Sequence, residues 1–213
     1  MSGTLAGLRD LAALGGPVVM ILAAVSVATL AVILYKMWQF SRSGVGWHKA
    51  LSQAVAAWDT GDRDEAERAL VTSTSYLAPV IAMAFRAEPG ASKRLEAEAE
   101  TRFARLESGL RFLDSVAQLA PLLGLFGTVL GMIAAFQALQ EAGSQVDPSV
   151  LAGGIWVALL TTAAGLAVAM PTALVLSWFE GRMDAERVTA ERAIHTILAP
   201  RGASAGAALR AHG

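Results

Sequence analysis

Three threonines, Thr128, Thr161 and Thr162, lie inside two long apolar stretches, residues 119–135 and 153–171, that contain no ionisable side chain. A hydroxyl group in such a stretch can donate a hydrogen bond to the carbonyl one turn earlier in its own helix and do nothing else. Alternatively, it can pass a proton or help to replace the water around a cation. Thr128 and Thr162 favour the second use, because they share a helical face with small residues, where a hydroxyl points at whatever packs there. We therefore take all three threonines as candidate ion-pathway residues.

Small residues recur at steps of three and four on one helical face of each stretch, beside the threonines. They are Gly124, Gly131 and Ala135 in the first stretch, and Ala158, Gly165 and Ala169 in the second. Because lipid tails are as apolar as leucine, small residues add little to membrane insertion but let another helix approach closely. The two faces are therefore predicted to line a channel and to contact a partner's helix.

Ion transport through these stretches requires a carboxylate, because a lone threonine cannot hold and release a proton at neutral pH. An acid at mid-membrane costs about 2.5 to 3.5 kcal/mol on insertion scales and marks ion pathways. Neither stretch contains one, so the acid must come from a partner. Each stretch also contains a proline, Pro121 or Pro171, which removes a backbone hydrogen bond and is predicted to kink its helix.

The composition indicates a membrane protein, because 54% of the residues are apolar and only 16% are charged. The mean hydropathy is +0.49. Charge-free runs occupy residues 11–35, 115–140 and 148–179, and each exceeds the roughly 20 apolar residues that a helix needs to cross a bilayer. The sequence thus predicts an all-α fold with three transmembrane helices. The first run lacks a regular small-residue stripe and is expected to be a lipid-facing anchor.

The basic residues predict the orientation of the chain, because lysine and arginine concentrate on the cytoplasmic side of a membrane. They are frequent in residues 41–113 and after residue 179, whereas residues 141–147 have none. The expected order is a short periplasmic segment (1–16), transmembrane helix 1 (17–40), a cytoplasmic helical domain (41–113), transmembrane helix 2 (114–140), a periplasmic loop (141–147), transmembrane helix 3 (148–179), and a cytoplasmic C-terminal helix and tail (180–213).

An apolar stripe links the cytoplasmic domain to the second transmembrane helix. Its members follow one another at steps of four and three from Leu95 to Ala120. This spacing predicts one helix from about Ser92 to about Gln140, roughly 70 Å long at 1.5 Å per residue. The first half of that helix is expected to project into the cytoplasm.

Residue types that catalyse reactions or bind metals form no group in this sequence. The absence of cysteine excludes disulfides and Cys-ligated metals. His48, His195 and His212 lie far apart and are expected to be ordinary solvated histidines. The net charge of −1 and the scattered basic residues do not indicate nucleic-acid binding. We predict that the chain is not an enzyme and has no catalytic residue, cofactor or metal site.

Two segments, LAPLLGLFGTVLGM (119–132) and GGIWVALLTTAAGLAVAMP (153–171), preceded by ARLESGLRFLDSVA, resemble the ExbB/TolQ/MotA proton-channel family. With three spans, the chain is more similar to ExbB and TolQ than to the four-span MotA. The resemblance implies an inner-membrane pentamer around a central pore, which encloses helices of an ExbD-like or TolR-like partner with an essential aspartate. Proton-motive force would drive mechanical work on a TonB-like or TolA-like protein. Thr128 in GTVLG and Thr162 in TTAAG match the family's pore threonines.

One position departs from the family pattern, since Val157 stands where many ExbB and TolQ sequences have glutamate. This departure places the proton-carrying task more fully on the partner's aspartate. A variant group that serves another envelope or motility machine stays open. Sodium coupling also stays open, because Thr161 adds a hydroxyl beside Thr162. The alternative from a different class is a structural membrane scaffold that binds partner helices without ion coupling.

Overall fold

The structure is a computed structural model that describes residues 2–88, 90–141 and 148–201, with side chains from residue 16 onward. Within these ranges the chain forms seven α-helices and no strand, in agreement with the predicted all-α class. The helices are α1 (Ser2–Arg42), α2 (Lys49–Thr60), α3 (Arg63–Val71), α4 (Ala78–Phe85), α5 (Ser92–Glu107), α6 (Leu110–Glu141) and α7 (Pro148–Leu198). Residues 142–147 of the predicted periplasmic loop and residues 202–213 of the predicted tail lie outside the described ranges.

Among the described residues, three helical segments are long and apolar enough to cross a membrane, namely Gly16–Arg42, Leu110–Glu141 and Pro148–Leu198. The first of them begins at an interruption of α1, where Gly16 has a φ of 64°. Glycine adopts this left-handed conformation without the steric cost that a side chain would add. Pro17 follows at the first helical position, where the missing N–H group has no helical partner to lose.

The prediction of a single helix from Ser92 to Gln140 is wrong, because the helix is interrupted between α5 and α6. Ser108 has extended backbone with a ψ of 127°, and Gly109 has a φ of 91°. A residue with a side chain rarely adopts the φ of Gly109, so this glycine permits the break that the apolar spacing alone does not reveal. The break leaves the last carbonyls of α5 without helical donors. One of them, the carbonyl of Leu106, accepts a hydrogen bond from the ammonium group of Lys36 at 2.9 Å.

The first of two structural units comprises Met1–Leu34 and Gly109–Trp178. A buried cluster joins α1, α6 and α7 in this unit. Its members are Val18, Leu22, Val116, Ala120 and Ala169. The description of the first span as a lipid-facing anchor is therefore only half right. One side of α1 is buried, whereas Val27 and Leu30 on the other side are 71% and 57% exposed.

The second unit comprises Tyr35–Ser108 and Phe179–Gly213. In it, Gly61 caps the C-terminus of α2 in a left-handed conformation with a φ of 94°, which lets α3 begin two residues later. The ring of Trp58 stacks on Phe85 with 4.0 Å between centroids, and its Nε1 donates to the carbonyl of Ile197 at 3.1 Å. This tryptophan therefore ties α2 to α4 and to the end of α7.

Candidate functional site

Helices α6 and α7 of the first unit pack against each other through glycines. A Cβ atom built on Gly124 would lie 2.9 Å from the carbonyl oxygen of Thr161 and 3.3 Å from Cα of Gly165. A Cβ atom on Gly131 would lie 3.3 Å from Cβ of Ala158. The two backbones are thus closer than larger side chains would allow, as small residues permit in membranes. Because rising positions on α6 meet falling positions on α7, the two helices are antiparallel.

The residues that were predicted to line a pore lie largely within this helix contact. Buried members are Gly124, Ala135, Ala158, Gly165 and Ala169, and Gly131 is half-buried. Their neighbours belong to other helices of the same chain. The missing side chains thus let the chain's own helices approach closely, and the predicted pore lining and partner contact stay predictions.

Three further residues of the contact, Ala120, Gly127 and Gly154, were not among the predicted site residues. A Cβ atom on Gly165 would meet the carbonyl oxygen of Ala120, and one on Gly154 would meet the side chain of Ala135. The spacing contained a signal for Gly127, because it continues the stripe of Gly124 at a step of three. The sequence analysis selected the neighbouring Thr128 for this face instead, because of its hydroxyl group.

The structure places Thr161 at the centre of the contact rather than at its edge. This residue is only 1% exposed, and its hydroxyl donates to the carbonyl of Ala158 at 2.7 Å. The same hydroxyl lies 3.3 Å from the carbonyl oxygen of Gly124 on α6. A Cβ atom on Gly127 would come within 2.7 Å of Cβ of Thr161. The side chain therefore fills the space between the helices, and its hydroxyl contacts both its own helix and α6. A role of Thr161 in an ion pathway stays a prediction.

Thr128 and Thr162 are half-buried and lie on the same edge of the helix pair. Thr128 donates to the carbonyl of Leu125 at 2.6 Å, whereas the Thr162 hydroxyl is 3.5 Å from the carbonyl oxygen of Gly124 on the other helix. Thr128 follows Gly127 and Thr162 follows Thr161, and these two preceding residues face each other across the contact. The next residue along a helix is rotated by about 100° around the helix axis. Because the two helices are antiparallel, both rotations bring the threonines to the same side of the pair.

The surface around these two hydroxyls is apolar. The side chains three or four positions away include Leu125, Leu159 and Leu166, which are 57%, 63% and 42% exposed. No ionisable residue occurs in residues 115–140 or 148–179. A pair of hydroxyls on an apolar edge can relay a proton or coordinate a cation, but it cannot store a charge.

The two prolines lie inside helices that continue past them, since α6 includes Pro121 and α7 includes Pro171. Pro121 is half-buried and Pro171 is exposed. The missing N–H group of each proline leaves one carbonyl without its helical donor, so the predicted kinks stay predictions. Val157, the position that departs from the family pattern, is half-buried one residue before Ala158.

A polar cluster in the second unit was missed by the sequence analysis. Nε2 of His48 lies 2.7 Å from Oε2 of Glu186, Tyr76 donates to the same oxygen at 2.7 Å, and Nδ1 of His48 is 3.0 Å from the hydroxyl of Ser75. The expectation of a solvated His48 is wrong, because its side chain is 11% exposed and that of Glu186 is 3% exposed. Burial, with the hydrogen bond to Glu186, raises the pKa of Tyr76. Among the described residues, no group of three potential metal ligands occurs.

Comparison with known proteins places residues 75–192 in one family. These residues, more than half of the chain, match the model of the MotA/TolQ/ExbB proton channel family. The matched range includes α6, the paired threonines, and Ser75, Tyr76 and Glu186 of the polar cluster, whereas His48 precedes it.

Individual relatives align over shorter segments. Biopolymer transport protein exbB1 of Vibrio cholerae serotype O1 is 48% identical over 67 residues, which are 32% of this chain and 29% of that protein. Putative biopolymer transport protein ExbB-like 1 of Synechocystis sp. is 46% identical over 83 residues, 38% of this chain and 33% of the relative. Tol-Pal system protein TolQ of Haemophilus influenzae is 41% identical over 80 residues, 38% of this chain and 35% of the relative. The chain thus spans about a third of the length of these curated relatives. Since the family match extends over more than half of the sequence, the chain belongs to the MotA/TolQ/ExbB proton channel family.

Proposed function

We propose that this chain is the channel and motor subunit of an inner-membrane complex that converts proton-motive force into mechanical work on the cell envelope. Its partner is an ExbD-like or TolR-like protein with one membrane span, and the work is delivered to a TonB-like or TolA-like protein. Five copies of the chain form a ring around the partner's helices. Names of relatives from both the biopolymer transport and the Tol-Pal groups support the proposal.

The observation that carries this proposal is the shared edge of Thr128 and Thr162. Both hydroxyls are half-buried on one side of the α6 and α7 pair, and they are surrounded there by leucine side chains. Toward the centre of a ring, this edge would offer two hydroxyls to an acid on another helix while keeping bulk water away. Proton transfer across a hydrogen bond needs donor and acceptor within about 3 Å, which a helix packed on this edge can provide.

The carboxylate has to come from the partner, because residues 115–140 and 148–179 contain no ionisable side chain. Val157 supports the assignment of the carboxylate to the partner, since its apolar side chain cannot bind a proton. The partner's aspartate alternates between a protonated form, which crosses the apolar zone, and a charged form, which faces water. In this scheme the threonines orient and stabilise the acid in passage.

The proposed placement in the membrane follows the distribution of basic residues. Residues 1–16 and 141–147 lie in the periplasm, and residues 41–113 and 180–213 lie in the cytoplasm. The three transmembrane helices occupy residues 17–40, 114–140 and 148–179, with kinks at Pro121 and Pro171. We assign no catalytic residue, cofactor or metal to the chain.

Isosteric removal of the two hydroxyls tests the proposal. Thr128→Val and Thr162→Val keep the shape of each side chain, so the complex should assemble with its partner while proton-driven work falls about 100-fold, as for the loss of one stabilising hydrogen-bond donor. The measurement is proton uptake in vesicles that contain the full complex. Thr172→Val is the matched control, because the Thr172 hydroxyl donates to its own helix at Val168, 2.7 Å away. Wild-type proton uptake in both Thr128→Val and Thr162→Val would refute a hydroxyl role.

A structural scaffold is the second candidate, and the mutual contact of the glycine faces favours it. Gly124 and Gly165 pack inside one chain, which suits a protein whose small residues only hold helices together. A scaffold predicts that a proton ionophore leaves the partner's conformation unchanged, whereas a motor predicts that the ionophore stops its movement. Sodium coupling is distinguished by replacing sodium with potassium at constant membrane potential.

A further inference from the structure

The connection between α1 and α2, residues 43–48, exposes a tryptophan on a backbone that is firmly held. We call these residues the Trp47 turn. The side chain of Trp47 is 81% exposed, although Val45 two residues earlier is 7% exposed. Tryptophan is a large apolar side chain with one polar N–H group, which suits a boundary between apolar and wet surroundings. The turn therefore exposes a side chain of the kind that is enriched at interfaces.

The backbone on both sides of Trp47 is fixed by several independent contacts. Its own N–H group donates to the carbonyl of Gly44 at 2.9 Å, and the next residue, His48, contacts the buried Glu186 at 2.7 Å. The amide of Gly46 also donates to Glu186, and a guanidinium nitrogen of Arg182 lies 3.5 Å from the carbonyl oxygen of Val45. The exposed tryptophan is thus part of a rigid element, not the tip of a loose loop.

Glycine is required at both bends of this turn. Gly44 and Gly46 have φ angles of 67° and 83°, which L side chains rarely adopt. A Cβ atom on Gly46 would also collide with the guanidinium group of Arg182. The chain therefore uses two special backbone positions to direct one exposed side chain.

The position of the turn along the chain points to the membrane as the surface that Trp47 meets. The turn follows directly after Gly16–Arg42, a segment apolar enough to span a bilayer. At the end of that segment, Trp38 is 57% exposed, and the Arg42 guanidinium lies 5.2 Å from the centre of its ring. Tryptophan beside arginine or lysine is typical of the membrane interface.

The charge around the turn matches an anionic lipid surface. Residues 11–58 contain no aspartate or glutamate, and the carboxylate of Glu186, which contacts the turn from α7, is buried. Arg42 and Lys49, in contrast, flank the turn and are exposed. Basic residues next to a span are attracted to anionic lipid headgroups. We infer that the Trp47 turn is a lipid-binding element, in which Trp47 enters the membrane interface while Arg42 and Lys49 bind the headgroups of anionic phospholipids.

Tryptophan fluorescence of the full chain in vesicles tests this inference. The chain has five tryptophans, so the emission of Trp47 is obtained by subtracting the spectrum of Trp47→Phe from that of the wild type. The vesicles contain phosphatidylglycerol and a phosphatidylcholine that is brominated high on the acyl chain. We expect the brominated lipid to quench most of the Trp47 emission, and aqueous iodide to quench almost none of it.

The matched control is Val71→Trp, which adds a tryptophan at the end of α3, where the native side chain is 86% exposed. Its emission is expected to be quenched by iodide. Replacement of phosphatidylglycerol by phosphatidylcholine, or the double change Arg42→Gln with Lys49→Gln, is expected to weaken bromine quenching of Trp47. Quenching of Trp47 by iodide would overturn the inference, as would protection from both quenchers, which would indicate a protein partner on the turn.

Discussion

The hydroxyl of Thr162 on α7 lies 3.5 Å from the carbonyl oxygen of Gly124 on α6. This approach across two helices is possible because Gly124 has no side chain, and a Cβ atom there would lie 3.1 Å from Cα of Thr162. The same glycine therefore brings the helices together and determines where the candidate ion-pathway hydroxyl lies. Packing and the proposed function consequently depend on the same residue.

The helix contact predicts a cost for the smallest possible enlargement. Gly165→Ala places a methyl group against the Ala120 carbonyl oxygen and 3.0 Å from Cα of Gly124. Overpacking of this kind destabilises a protein by about 1 to 3 kcal/mol, so the thermal unfolding midpoint in detergent should fall. Gly153→Ala is the control, because no atom of the described residues lies within 4 Å of its added Cβ atom. Equal midpoints for the two variants would contradict the contact.

The buried carboxylate of Glu186 is expected to stabilise the second unit strongly. Glu186→Ala removes the common partner of His48 and Tyr76 and leaves their polar groups buried without it. Removing one member of a buried pair costs about 3 to 5 kcal/mol. Urea unfolding followed by circular dichroism measures the loss. Glu191→Ala, an exposed position on the same helix, should change stability little, and a similar effect of both changes would disprove the role of the cluster.

Lys36 predicts a second specific contribution to stability. Its side chain is 1% exposed, and its ammonium group donates to Gln39 at 2.7 Å and to the Leu106 carbonyl at 2.9 Å. Lys36→Met keeps the apolar stem but leaves that carbonyl unpaired, so we expect a loss of about 1.5 to 3 kcal/mol. The exposed Lys49→Met serves as the control in the same denaturation experiment. Lys36 would not cap α5 if the two variants unfolded alike.

Tyr76 predicts a loss of stability at alkaline pH. Burial and the hydrogen bond to Glu186 raise its pKa in the folded chain, whereas tyrosine in the unfolded chain ionises near its ordinary pKa of about 10. The stabilising contribution is complete below that pH and is lost as the pH rises above it, because only the unfolded state then releases the proton. Tyr76→Phe should therefore show a shallower alkaline decline in unfolding free energy than the wild type. Tyr35→Phe, which retains Tyr76, should keep the full decline.

The outline of the fold could be predicted from local patterns, but the break at Gly109 could not. Charge-free runs indicate membrane helices because the cost of burying charge in lipid acts on each residue separately. The apolar spacing from Leu95 to Ala120 continues across Ser108 and Gly109, so periodicity alone predicts one helix. The left-handed conformation of Gly109 instead interrupts the helix, and the distant Lys36 donates to the buried carbonyl of Leu106.

The sequence by itself determined the three apolar helices, the small-residue faces and the absence of an acid within residues 115–140 and 148–179. These properties depend on residue type and on helical spacing, which a linear sequence states directly. Only the tertiary structure decided which surface each face meets. It buried Thr161 between α6 and α7 while leaving Thr162, its neighbour in sequence, at the edge. It also joined His48 to Glu186 across 138 positions, because such a pairing depends on folding and not on spacing along the chain.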